Sequence, residues 1–324
     1  MLKKSQVRLL LAFFILLAST SAYSQTNWYA FSGTAGVEFC NSDLRWRISG
    51  KDEKLGNFIS ELLYETDSPR MVLKGEMVIF PRKIFPAFSL LPPRISAELT
   101  YKRSMGFFSN QHGSDTDWFT DVSPDPAYYG ELSKLEGFSR LWNLTLYFRT
   151  LSMFLSRTYF YTDFLIGYRW QKEKVTMTNC TYYIEDYTPV YDKLSGLDST
   201  YKASFNNFAI GGRVGTILPF GLGINLKGAY FPSGSAKAKG YWNLRDMHFA
   251  QKGRNEHGYE LEASLFYTVI LSRERPALLK TNVGVFYEET WQEGGADITY
   301  GITSKWERAV SRRKGIFITV RIEF

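Results

Sequence analysis

Apolar residues occupy every second position at the C-terminus: Ile316, Ile318, Val320, Ile322 and Phe324, with Phe317, Thr319, Arg321 and Glu323 between them. A period of two places the two sets on opposite faces of an extended strand. The same alternation recurs along the chain. Leu144, Leu146 and Phe148 interleave with Asn143, Thr145, Tyr147 and Arg149, and Phe164, Ile166, Tyr168 and Trp170 with Asp163, Arg169 and Gln171. Between 259 and 271 the odd positions are apolar, whereas Glu260 and Glu262 lie on the other face. Counting such runs predicts about ten strands, near 28–46, 57–82, 94–110, 137–151, 158–178, 200–217, 220–241, 257–272, 280–300 and 305–324. Short links at 152–157 and 218–220 read as tight turns. Long polar links near 43–57, 110–136, 179–200, 241–257 and 294–306 read as loops at the opposite end.

Two architectures bury one face of such strands. A soluble sandwich hides the apolar face and solvates the polar one. A transmembrane barrel turns apolar residues to lipid and charges to the interior. The second is favoured by Trp142, Tyr159, Tyr161, Tyr168 and Trp170, which gather at the ends of apolar runs as interfacial girdles do. The expected fold is all-β, a ten-stranded antiparallel transmembrane β-barrel with long extracellular loops. An even number of strands lets the sheet close without exposed edges. A bore of this size is filled by side chains, which disfavours a wide pore.

The first residues read as an export signal. Lys3, Lys4 and Arg8 precede an apolar run at 9–18, and Ala22 and Ser24 supply the small residues of a cleavage site. The expected division is a signal peptide at 1–24 and a barrel at 25–324. A run this short does not cross hydrocarbon, which needs roughly 20 apolar residues. Removing those three cations lowers the formal net charge from +7 to +4. No Lys/Arg block remains to suggest nucleic acid as a partner, and the residual charge suits an anionic lipid surface. With 44% hydrophobic and 22% charged residues, the chain has ample apolar surface to fold. Cys40 and Cys180 make at most one bridge, and neither has the company of a catalytic thiol.

Candidate chemistry lies in two polar links. Ser114-Asp115-Thr116-Asp117-Trp118 contains an Asp pair, and Asp246-Met247-His248 an Asp–His pair. In extended backbone, residues i and i+2 share a face, about 7 Å apart. Each pair thus points one way, and the two can confront each other across a barrel mouth. An imidazole whose tautomer is fixed by a carboxylate is a base. Neighbouring carboxylates hold one proton between them. A water gripped between such groups attacks a carbonyl. Each motif alone is common in a chain with 32 acidic residues, and solvated loops account for them equally well. Asp115, Asp117 and Asp121 do not make an EF-hand, because Phe119 and Thr120 stand where an oxygen ligand and the turn glycine belong. The three histidines, His112, His248 and His257, form no metal-ligand pattern, and no metal is expected.

With Pro93-Arg94-Ile95-Ser96 leading through a strand to Asp115-Thr116-Asp117-Trp118, then Gly167-Tyr168, Tyr201-Lys202, Ile210-Gly211 and Asp246-Met247-His248, the chain resembles the omptins, outer-membrane endopeptidases of Gram-negative bacteria. The resemblance implies an aspartyl-type endopeptidase in the cell outer membrane, its active site facing the exterior and its substrates polypeptides. Asp115 and Asp117 match the family's catalytic Asp pair, and Asp246 and His248 its dyad. The acidic specificity pocket corresponds loosely to Asp43 and Glu131. Leu244 stands where some members carry another aspartate, which weakens the implied preference for basic residues. Tyr168 and Lys172 match the lipopolysaccharide site, while Trp170 replaces an acidic residue and Ser204 an arginine. No cofactor is implied beyond lipopolysaccharide, on which activity depends in this family. The alternative expectation is a non-catalytic surface barrel, an adhesin or binding protein acting through its outer loops.

Overall fold

The computed structural model describes residues 28–52, 56–85, 87–88, 90–105, 111–119, 129–185, 188–190, 195–253, 255–272, 277–299 and 301–324. The expected signal peptide and its cleavage site lie outside the described residues. Fourteen strands form one antiparallel sheet: β1 (Tyr29–Asp52), β2 (Gly56–Ile79), β3 (Ile95–Ser104), β4 (His112–Phe119), β5 (Tyr129–Leu155), β6 (Thr158–Glu185), β7 (Thr188–Val190), β8 (Asp198–Ile217), β9 (Leu222–Trp242), β10 (Met247–Gly253), β11 (Glu256–Ser272), β12 (Ala277–Glu293), β13 (Gly295–Thr299) and β14 (Ile302–Glu323). A four-residue helix, Pro81–Ile84, follows β2.

Ten staves result, because three of them are broken into two strands each and the three-residue β7 only pairs back on β6. β3 and β4 both pair with β2 and β5. β10 and β11 both pair with β9, and β12 and β13 both pair with β14. β1 pairs with β14 from Ser32 opposite Glu323 to Ser49 opposite Lys305, which closes the ring. The ten-stranded antiparallel barrel read from the alternation is the fold.

Sidedness of the wall distinguishes the barrel from a sandwich. On β11, Leu261, Leu265 and Tyr267 are exposed, whereas Glu260, Ser264 and Phe266 are buried. On β14, Ile316, Ile318 and Val320 face outward, and Phe317 and Thr319 face inward. Apolar residues outside and charges inside is the arrangement that hydrocarbon requires. Trp142, Tyr168 and Trp170 stand on the outer face as expected, with Trp142 opposite Trp170 in the ladder. Tyr161 does not. It turns inward, where the Arg149 guanidinium lies 4.2 Å from its ring centre.

The interior of the membrane section is an ion-pair lattice. Glu38 binds Arg70 and Lys102, both at 2.7 Å. Glu288 meets Arg169 at 2.7 Å, Lys102 at 3.5 Å, Arg313 at 3.6 Å and Arg70 at 3.8 Å. Glu76 bridges Arg321 and Arg94, and Asp163 holds Arg149 and Arg213. Burial of this many charges is tolerated because each has an opposite partner within reach.

The strands run on past the membrane. β5 and β6 contain 27 and 28 residues, whereas a tilted strand needs roughly 9–11 to cross the bilayer. The surplus rises beyond one membrane face, so most of the segments expected as loops continue the ladder as β-structure. Above the membrane the polarity of the wall inverts, because water now bathes the outside. Leu44, Trp46, Leu62, Tyr64, Leu135, Met177, Tyr201, Phe205, Trp242, Phe249 and Trp306 pack inside as one apolar cluster. Outer positions there are polar, for example Asn41, Arg45 and Arg47 on β1. Cys40 and Cys180 are both buried, and Cys40 Sγ donates to the Ser68 carbonyl at 3.3 Å.

Candidate functional site

The apolar cluster forms the floor of a cleft at the loop end. Tyr201 is its centre: Trp46 stacks on it with ring centres 5.7 Å apart, Phe249 at 6.1 Å, and Tyr64 leans against it at 5.6 Å. Burial raises the Tyr64 and Tyr201 phenols well above their ordinary range, and nearby carboxylates add to it: Asp115 and Glu131 beside Tyr64, Asp297 and Glu173 beside Tyr201. The Tyr201 hydroxyl donates to Gln251 Oε1 at 2.9 Å.

One rim of the cleft is β4, held between β2 and β5. Asp115 is opposite Leu62 on one neighbour and Glu131 on the other; Asp117 is opposite Ser60 and Tyr129. The two aspartates share the inward face, as their spacing predicts, Asp115 buried and Asp117 half-buried. Glu131 is buried beside them and accepts from the Tyr129 hydroxyl at 2.6 Å and Ser133 Oγ at 3.2 Å. The opposite rim carries a carboxylate that the sequence reading did not single out. Asp297 on β13 is fully buried and accepts from Thr299 Oγ1 at 2.9 Å and Ser304 Oγ at 3.1 Å. Asp115, Asp117 and Asp297 line one cavity of about 330 Å³, walled by Trp46, Phe58 and Trp242. Asp297 and Thr299 turn inward on either side of the exposed Ile298, against the apolar-inside pattern of the neighbouring strands, so the alternation gave no signal for Asp297.

Asp246 and His248 are not at this cleft. β10 turns Met247, Phe249 and Gln251 inward, and His248 is exposed on the outer face. Its ring stacks on Tyr241 with centres 4.4 Å apart, and the Tyr241 hydroxyl donates to Asp246 Oδ1 at 3.3 Å. Asp246 ends a single 3-10 turn, Asn243–Arg245, in a left-handed conformation with φ 46°. The expectation that an Asp–His pair confronts the Asp pair across the mouth is therefore corrected. Phe249 belongs to the buried apolar cluster and Met247 packs against it, which puts the intervening imidazole out.

Asp43 is corrected in the same way. It lies on the outer face of β1 opposite Arg312 and Glu65, away from Glu131, in a groove of about 600 Å³ with His112. Partial burial raises its carboxyl despite Arg312 and Arg45 nearby. Among the described residues, no group of His, Cys, Asp and Glu is arranged to hold a metal ion.

Tyr168 and Lys172 share the outer face of β6, with Trp170 between them and 4.6 Å from Tyr168 between ring centres. Lys172 opens onto a cationic field directly above the aromatic level. It lies opposite Arg140 and Ser204. Lys202 is opposite Lys174 on one side and Lys239 on the other, and Lys237 is opposite Lys252. The concavity among them measures about 990 Å³. Like charges in register repel, so the arrangement persists only where anions or water screen it.

No family model matches the chain, and no curated protein matches its sequence. Among solved structures, the outer-membrane protease OmpT from Escherichia coli superposes with a TM-score of 0.67 over 93% of this chain and 99% of its own, at 11% identity. The translocator domain of the autotransporter NalP from Neisseria meningitidis follows with a TM-score of 0.30 at 12% identity, covering 97% of this chain and 96% of that one. A Pseudomonas aeruginosa FadL homologue gives 0.24 at 9% identity, covering 92% and 90%. The similarity to OmpT concerns the fold, a barrel of the outer-membrane type.

Proposed function

We propose that the chain is an omptin-like endopeptidase of the outer membrane, acting on polypeptides that enter the cleft from the exterior. What supports this most is the placement of Asp115 and Asp117 over an aromatic floor, at the open end of a barrel whose fold matches a protease along nearly its whole length. The Asp pair orients and deprotonates a water that attacks the peptide carbonyl. Full participation of Asp246 and His248 requires β10 to slip by one residue, since a one-residue register shift exchanges the two faces of a strand. His248 then enters the cleft and Phe249 leaves it.

Lipopolysaccharide is the proposed lipid partner. Tyr168 and Trp170 sit at the level of the acyl–headgroup boundary, and Lys172, with Arg140, Lys202 and Lys237 around it, meets the phosphates above. Each such cation contributes about 1 kcal/mol near an anionic surface.

The outward position of His248 favours a second reading, a non-catalytic barrel that binds polypeptides at the cell surface. Cleavage of a quenched peptide library by the full chain in lipopolysaccharide-containing micelles separates the two. The protease reading expects cleavage that falls at least hundredfold in Asp117→Ala and in His248→Ala, with the barrel still assembled. Cleavage in neither the wild type nor the variants leaves the binding reading. Full activity in His248→Ala with loss in Asp117→Ala removes the imidazole from the mechanism.

A further inference from the structure

Two polar atoms in the wall of the Asp115–Asp117 cleft have no hydrogen-bond partner among the described residues. One is the indole Nε1–H of Trp46, a side chain only 3% exposed. The other is Oδ1 of Asp297, whose second oxygen already accepts from Thr299 and Ser304. Both residues line the same cavity of about 330 Å³. Buried polar groups are almost always paired, and each unpaired one is a cost to the fold. A pair of them sharing one cavity therefore points to an occupant. Their chemistry is complementary: Trp46 offers a donor and nothing else, and a carboxylate oxygen is an acceptor.

A peptide backbone in extended form presents a carbonyl acceptor and an amide donor in each residue, at a repeat of about 3.4 Å. The walls between the two atoms are aromatic and aliphatic, Trp46, Phe58, Trp242, Met247 and Ile302, which suits side chains lying on either side of such a backbone. Packing fixes both groups in advance. Trp46 is clamped on Tyr201, and Asp297 is oriented by its two hydroxyl donors. Preorganised groups lose little freedom on binding.

We propose that Trp46 and Asp297 dock the main chain of an extended peptide across the cleft, the indole N–H donating to a peptide carbonyl and the Asp297 carboxylate accepting from a peptide N–H. Neither residue belongs to the expected catalytic set. The inference takes its substrate class from the endopeptidase reading, but it concerns binding and survives if hydrolysis does not.

The test uses the full chain in lipopolysaccharide-containing micelles and a fluorescein-labelled pool of random decapeptides, read by anisotropy in an Asp117→Ala background so that the probe is not consumed. Trp46→Phe keeps an aromatic ring against Tyr201 and deletes the donor together with the second ring of the indole. It is expected to raise Kd roughly three- to tenfold, the effect of one neutral hydrogen bond. Asp297→Asn still accepts from Thr299 and Ser304 but turns an amide into the cleft, and is expected to raise Kd roughly tenfold to hundredfold. The thermal midpoint of Trp46→Phe falls with the lost ring, so affinities are compared at a temperature where both proteins are fully folded. Peptide affinity unchanged in Trp46→Phe overturns the proposal, whether or not the parent protein is a protease, and leaves solvent as the occupant. Binding that depends on Trp46 in a protein that cleaves nothing sustains the proposal and refutes the endopeptidase reading. Should Asp297→Asn fail to fold, Trp46→Phe decides alone.

Discussion

Removal of the Glu288 carboxylate tests the account of the barrel interior most directly. Four cations lie within 3.8 Å of it, but they do not lose equally when it goes. Arg70 and Lys102 keep Glu38 at 2.7 Å, and Arg313 keeps Glu173. Arg169 is left with Glu260 at 3.9 Å, a neutral hydrogen bond to Gln171 and the Phe231 ring. Glu288→Ala thus strands chiefly one guanidinium at 1% exposure. Orphaning one partner of a buried pair costs about 3–5 kcal/mol, and the residual contacts of the other three cations place the expected loss near 3 kcal/mol. Urea unfolding from lipid vesicles, followed by tryptophan fluorescence, measures it. The companion variant Glu288→Ala/Arg169→Met removes the stranded charge and fills its place with an apolar chain, so it is expected to be more stable than Glu288→Ala alone. A single variant within about 1 kcal/mol of wild type refutes the lattice as a determinant of stability. A double variant weaker than the single refutes the assignment of Arg169 as the orphan.

Three further outcomes are expected. Below pH 10 the raised phenols of Tyr64 and Tyr201 leave stability unchanged; above it the unfolded chain releases protons that the folded chain retains, so stability falls with rising pH. Tyr64→Phe should flatten that alkaline limb in denaturant midpoints taken from pH 9 to 12, and an unaltered limb would contradict the assignment. Lys172→Ala and Lys202→Ala should each weaken binding to lipopolysaccharide vesicles by about fivefold at low salt and by less at high salt; salt-independent losses would exclude a phosphate partner. Gly36→Val places a side chain against the Ile318 carbonyl on the closing strand pair, so the unfolded fraction after refolding should rise sharply; normal refolding yield would show that this seam yields to a side chain.

The fold was legible because lipid and water impose opposite alternations on a wall, and residues 260–269 of β11 and 313–320 of β14 carry that pattern without interruption. The ten staves coincide with the ten runs. The turn at 152–157 also fell where expected, Ser156 adopting φ 57° between β5 and β6. Less legible was the point where the medium changes. Within the membrane an apolar residue marks the outside, but beyond it an apolar residue marks the inside. Read with one rule throughout, Asp246-Met247-His248 is only an Asp–His pair on a loop; read with the inverted rule, Met247 and Phe249 already assign His248 to the outer face. That Asp115 and Asp117 share one side of β4 follows from spacing alone. Asp297 escaped notice for a different reason: Asp117, which lines the same cavity, is 297 − 117 = 180 positions away in the chain, and only the ring brings the two together.

The seam between β1 and β14 joins the beginning of the described chain to its end, and Phe31 and Phe324 exchange main-chain hydrogen bonds there. Every other stave has a neighbour close in sequence, so most of the sheet can grow by successive hairpins. This seam, like the pairing of β12 and β13 with β14, waits for the final strand of the ring. A nascent chain halted before residue 302 would carry two unsatisfied margins, each able to recruit a strand from another copy. Closure of the ring thus reduces to a single late event, the pairing of β1 with β14.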